Sequence, residues 1–144
     1  MNLKKLNILL ADDDTDDRFF FKKVLNELSI AVQLTTVHNG EELMAYLLEN
    51  SDQLPDLLFL DLNMPRKSGF ECLSEINENE KLKVLPVVIF STFYSRDITY
   101  GQGIIKMLSE IGTYEYIRKL EDFAQFKQDI HNALIKAETK RVLK

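Results

Sequence analysis

Apolar runs that each end in a charged or hydroxyl residue constrain this chain more than any other feature. Ile8-Leu9-Leu10-Ala11 runs into Asp12 and Asp13, Leu57-Leu58-Phe59-Leu60 into Asp61, Val87-Val88-Ile89-Phe90 into Ser91-Thr92, and Tyr114-Glu115-Tyr116-Ile117-Arg118 into Lys119. Continuous hydrophobic runs mark parallel strands buried on both faces, and the ligands of open α/β sheets bind beyond the carboxyl ends of such strands. Acids, hydroxyl and amine are therefore expected to converge on one edge of one sheet.

Strand and helix signals alternate along the whole chain, which predicts a doubly wound parallel α/β sheet with helices on both faces and five β-α pairs. Strands are expected at about Leu6 to Ala11, Val32 to Val37 and Leu57 to Leu60, then a fourth opened by Pro86 and a last from Tyr114 to Arg118. The second alternates Val32, Leu34 and Thr36 with Gln33 and Thr35, as a half-exposed strand at the sheet border would. Helices are expected from Thr15 to Leu28, with Phe20, Val24, Leu25 and Leu28 facing the core; after an Asn39-Gly40 turn, with Leu43, Met44, Leu47 and Leu48; and from Phe70 to Asn79. A further helix is expected within Ser95 to Ile111, although Gly101 and Gly103 each cost it about 1 kcal/mol relative to Ala. A long one from Glu121 to Val142 closes the fold, with Phe123, Phe126, Ile130, Leu134 and Ala137 on one face.

A length of 144 residues suits one domain of common size. No segment approaches the roughly 18 apolar residues of a membrane span, and the start of the chain lacks the form of a signal peptide, so the expectation is a cytoplasmic protein with no membrane contact. Net charge of −5 disfavours nucleic-acid binding, because phosphate contacts need clustered cations. Lys136, Lys140, Arg141 and Lys144 do gather near the C-terminus, where they complement a helix dipole. Cys72 is the single cysteine, which excludes an internal disulfide and a cysteine-based metal site; a helix-packing role is expected.

Asp14, Asp16 and Asp17 read as capping and dipole-complementing acids of the first helix. Asp12 and Asp13 abut the strand instead. If they meet Asp61, two unit charges about 4 Å apart repel by roughly 4 kcal/mol at an effective dielectric near 20, so the cluster needs a cation. An all-oxygen donor set suits Mg²⁺, and a carboxylate beside Mg²⁺ can attack phosphorus. Lys119 and the Ser91 hydroxyl could contact the same phosphoryl group. Each of these residues alone is also an ordinary loop or surface residue; their order along the chain is the specific signal.

The sequences Ile8-Leu9-Leu10-Ala11-Asp12-Asp13-Asp14, Asp61-Leu62-Asn63-Met64-Pro65 with Gly69, Ile89-Phe90-Ser91-Thr92 and Tyr116-Ile117-Arg118-Lys119 together resemble the receiver domain of two-component response regulators, over nearly the whole chain. The acid-rich start is similar to stand-alone regulators of the chemotaxis and phytochrome-linked kind. The resemblance implies flavodoxin-like strand order 2-1-3-4-5, Asp61 as the acceptor of a phosphoryl group from a histidine kinase or phosphotransfer protein, and Mg²⁺ held by Asp12, Asp13, Asp61 and the main-chain carbonyl of Asn63. It further implies Ser91 as switch hydroxyl, Tyr116 as switch aromatic and Lys119 as phosphate-contacting lysine. Two departures stand out: Leu120 replaces the usual proline, and the stretch from Ser91 to Lys119 is longer than usual.

With 25 residues after Lys119, no attached output domain is expected, and the signal should pass to a protein partner, or a second copy, through the helix preceding the fifth strand, that strand and the closing helix. Phe93 is expected to slow hydrolysis of the phosphorylated state. The implied chemistry is self-directed phosphotransfer and dephosphorylation, not turnover of a substrate. An aspartyl phosphatase would want a second acid where Asn63 stands, and a nucleotide-binding fold a Gly-rich loop where Asp12 to Asp14 stand. A phosphorylation-independent interaction module remains the alternative.

Overall fold

The computed structural model describes residues 5–91, 115–118 and 122–143. Five parallel strands form one sheet in the order β2-β1-β3-β4-β5: β1 (Leu6–Ala11), β2 (Val32–Val37), β3 (Leu57–Leu60), β4 (Val87–Ser91) and β5 (Glu115–Arg118). The flavodoxin-like α/β expectation therefore holds, and β2 does lie at the sheet border. The helices are α1 (Thr15–Glu27), α2 (Gly40–Glu49), α3 (Gly69–Glu78) and a closing helix, Phe123–Leu143. The expected Ser95 to Ile111 helix with Gly101 and Gly103, and the residues Phe93, Lys119 and Leu120, lie outside the described residues.

Side chains alternate across the sheet and build two cores. On one face, Leu9, Leu58, Leu60 and Ile89 pack with Leu43 and Leu47 of α2 and Cys72, Leu73 and Ile76 of α3. Cys72 is thus a helix-packing residue, and burial pushes its thiol up to about 12, far from reactivity. On the other face, Leu10, Phe59, Val88 and Phe90 pack with Phe21, Val24 and Leu25 of α1 and with Phe126, Ile130 and Leu134 of the closing helix. Edge-to-face rings tie this layer together: Phe21 to Phe59 at 4.8 Å and Phe21 to Phe90 at 5.7 Å between centroids.

Two residues expected on apolar helix faces are exposed instead, Leu48 of α2 at 54% and Phe20 of α1. Phe20 is 49% exposed, and its neighbour Phe21 is the buried aromatic of α1. Phe21 lies three and four residues before Val24 and Leu25, so it shares their face, whereas Phe20 is rotated about 100° away from it. Asn39 makes the turn into α2 as its N-cap, accepting a hydrogen bond from the Glu42 amide at 2.9 Å. Asp14 and Ser68 do the same for α1 and α3 through the Asp17 and Glu71 amides. Each such cap contributes about 1 kcal/mol and fixes where a helix leaves its loop.

Candidate functional site

Strand order reverses between β1 and β3, whose continuations run to opposite sides of the sheet, and open α/β sheets bind their ligands beyond the carboxyl ends of such a pair. The pairing Ala11↔Leu60 sets the two ends side by side, so the next residues, Asp12 and Asp61, emerge together. The Asp61 amide donates to the Ala11 carbonyl at 3.0 Å and the Asp12 amide to the Val37 carbonyl at 3.1 Å, which extends the sheet ladder to both acids. Asp12 is 0% and Asp61 5% exposed, while Asp13 is open to solvent. One carboxylate oxygen from each of Asp12, Asp13 and Asp61 falls within 4.8 Å of the others.

Local hydrogen bonds hold the Asp12 and Asp61 carboxylates in place. Asp12 Oδ1 accepts from the Asp14 amide at 2.9 Å, and Asp61 Oδ1 from the Asn63 amide at 3.1 Å. Arg18, one turn into α1, donates from Nη1 to the Asp12 carbonyl at 2.9 Å. Nothing in the motif order pointed to Arg18. Its one signal is that a cation in the opening turn of a helix works against the helix dipole and so needs a local partner.

After Asp61 the chain folds back over α3. Leu62 and Met64 are buried in the core, and the Gly69 amide donates to the Leu62 carbonyl at 3.0 Å. Arg66 takes a left-handed φ of 69°, a conformation that costs a residue with a side chain about 1–2 kcal/mol. Gly69 is required by close approach: a Cβ there would press on the Asp61 carbonyl oxygen and lie 2.6 Å from Leu62 Cα. Gly69→Ala is expected to destabilise the fold by about 1–3 kcal/mol, as overpacking against backbone does, and to displace Asp61. A denaturant titration measures the first effect, and a structure of the variant the second.

The remaining sequence-derived residues reach the same edge to different extents. The pairing Leu60↔Ile89 carries the end of β4, including Ser91, alongside Asp61, and Ser91 pairs with Arg118 of β5. Tyr116 lies in β5 opposite Ile89. Asp14, Asp16 and Asp17 stand at the start of α1, as capping and first-turn acids.

The family model for the response regulator receiver domain matches residues 8–131. The chain belongs to this family. Among curated proteins, the receiver is 39% identical over 95 residues to response regulator Rcp1 of Synechocystis, a match covering 62% of this chain and 64% of Rcp1. It is 31% identical over 112 residues to the sensor histidine kinase CheAY of Helicobacter pylori, covering 78% of this chain and 13% of that protein. It thus spans less than two thirds of the length of either relative. Among solved structures, the phosphorylated cyanobacterial phytochrome response regulator RcpA superposes with a TM-score of 0.77 at 30% identity, covering 90% of this chain and 91% of RcpA. The Mn²⁺-bound form of Rcp1 superposes with a TM-score of 0.73 at 29% identity, covering 88% and 89%. The family places the receiver in two-component signalling. Among the described residues, no helix is long and apolar enough to cross a membrane.

Proposed function

We propose that this receiver is an Mg²⁺-dependent phosphoacceptor that takes a phosphoryl group on Asp61 from a histidine kinase or a histidine phosphotransfer protein in the cytoplasm. The observation that carries this reading is the meeting of the Asp12, Asp13 and Asp61 carboxylates within 4.8 Å beyond the carboxyl ends of β1 and β3. Three carboxylates so close repel one another, and two of them are buried, so an oxygen-seeking divalent cation fits the donor set. Asp12, Asp13 and Asp61 would hold it, with the main-chain carbonyl of Asn63. Bound Mg²⁺ offsets negative charge on the incoming phosphoryl group and on its acceptor.

The protein's own groups do the rest. A carboxylate oxygen of Asp61 forms a bond to phosphorus while the bond from phosphorus to the donor imidazole breaks, leaving an aspartyl phosphate and a neutral histidine once the imidazole has its proton. The sheet ladder and the Asn63 amide hold Asp61 in one orientation, which removes part of the entropic cost of that attack. Ser91 would donate its hydroxyl to a phosphoryl oxygen, and the Lys119 ammonium would contact the same group. Because the phosphorylated side chain has greater charge and reach, Ser91, Tyr116 and Lys119 would follow it and bias the surface formed by the chain before β5, β5 itself and the closing helix. That surface would carry the signal to a protein partner or a second copy of the receiver. Water attack on the aspartyl phosphate would reset the switch, the only further chemistry proposed.

Intact-mass measurement after incubation with a small acyl-phosphate donor tests this reading. One added phosphoryl group is expected with Mg²⁺ and none with a chelator. Absence of labelling with Mg²⁺ would contradict the proposal and favour a phosphorylation-independent interaction module, and equal labelling without Mg²⁺ would contradict the role of the metal.

A further inference from the structure

The turn between β1 and α1 carries a cation among its acids. Arg18 Nη1 donates to the Asp12 carbonyl at 2.9 Å, its Nη2 donates to Thr15 Oγ1 at 3.3 Å, and its backbone amide donates to the Asp14 carbonyl at 3.1 Å. The turn is also closed from within, by the Asp14 amide on Asp12 Oδ1 at 2.9 Å and the Asp17 amide on Asp14 Oδ1 at 3.0 Å. Asp13, the exposed member of the acidic cluster, is presented from inside this ring of bonds.

Two effects of Arg18 on a divalent cation have opposite signs. By Coulomb's law alone, a guanidinium bonded to the main chain of one of the three acids repels an entering cation, so removing it would tighten binding. By geometry, the guanidinium pins the carbonyl of one acid and, through it, the turn that aims the next. Without it, that turn must be ordered anew each time a metal binds, which weakens binding. The half-exposed position of Arg18 decides between them: solvent screens its charge, whereas its bonds to the Asp12 carbonyl and Thr15 survive as geometric restraints.

We propose that Arg18 is a positioning residue of the metal site and that its restraint of the turn outweighs its repulsion of the metal. This inference rests on the reading of Asp12, Asp13 and Asp61 as that site. Loss of an outer partner of a metal ligand commonly weakens binding 10- to 100-fold, and a partner that acts through the main chain belongs at the lower end, so Arg18→Gln is expected to raise the Mn²⁺ Kd about tenfold. Arg18→Lys keeps the charge but cannot span two acceptors with a planar fork, and its Kd should fall between that of Arg18→Gln and that of the unaltered protein.

The test is calorimetric titration of the full chain with MnCl₂, paired with melting temperatures in chelator. The expected result is weaker binding in both Arg18 variants with little change in metal-free melting temperature. Unchanged or tighter binding in Arg18→Gln would overturn the inference; if that variant does not fold, a Kd for Arg18→Lys equal to that of the unaltered protein would do so. Asp13→Asn separates the two levels of the argument. Loss of binding in Asp13→Asn with full binding in Arg18→Gln keeps the site and sinks the role of Arg18, whereas an unaltered protein with no saturable Mn²⁺ binding sinks both.

Discussion

Asp61→Asn is expected to abolish phosphoryl uptake, with labelling by a small acyl-phosphate donor falling to that of unreacted protein even at saturating Mg²⁺. The amide keeps the size and hydrogen-bonding oxygen of the carboxylate, so the Asn63 amide retains an acceptor and the fold is expected to persist. What is lost is the anionic oxygen that forms the bond to phosphorus. Metal affinity should weaken as well, because the charge count of the ligand set falls by one. Asp12→Asn and Asp13→Asn remove the same charge without removing the acceptor. They are expected to leave residual labelling that rises with Mg²⁺ concentration. Full labelling of Asp61→Asn would assign the acceptor to another residue.

Phe21→Ala is expected to destabilise the fold by about 3–5 kcal/mol, the usual cost of emptying a buried aromatic site. Phe21 is 0% exposed, and its ring meets both Phe59 and Phe90, so its removal leaves a cavity where α1 lies on β3 and β4. Against a typical total stability of about 5–15 kcal/mol, that loss is a large fraction. Phe20→Ala, one residue earlier but 49% exposed, is expected to change stability by no more than about 0.5 kcal/mol. Urea denaturation of the two variants side by side measures the contrast. Equal losses would mean that α1 faces the sheet differently from the arrangement described.

That pair also shows what the amino-acid sequence makes legible. β1 and β3 were legible because each is an apolar run closed by an acid, and β2 because its residues alternate, and all three begin and end where the pattern predicts. Helix existence was equally plain, but the face of α1 was not. Phe19, Phe20 and Phe21 are consecutive, each about 100° from the next, and only the position of the sheet selects among them. The acids of the site were visible because a carboxylate after a buried strand is out of place without a ligand. Asp12, Asp13 and Asp61 do come together.

Arg18 was not visible, because its partner is a main-chain carbonyl, and every residue offers one. The role of Gly69 was visible only as a place in a motif. Its reason is a contact with the backbone of Asp61 and Leu62, a short tertiary approach that no local pattern encodes.

In the proposed switch Asp61, at the meeting of three carboxylates, supplies the oxygen that bonds to phosphorus. That role is tested most directly by reducing the phosphorylated protein with borohydride, which converts an aspartyl phosphate to homoserine, and locating the altered residue by peptide mass mapping. The account predicts homoserine at position 61 alone, formed only when Mg²⁺ was present during phosphorylation. Homoserine at position 12 or 13, or none after labelling conditions that modify other receivers, would contradict it.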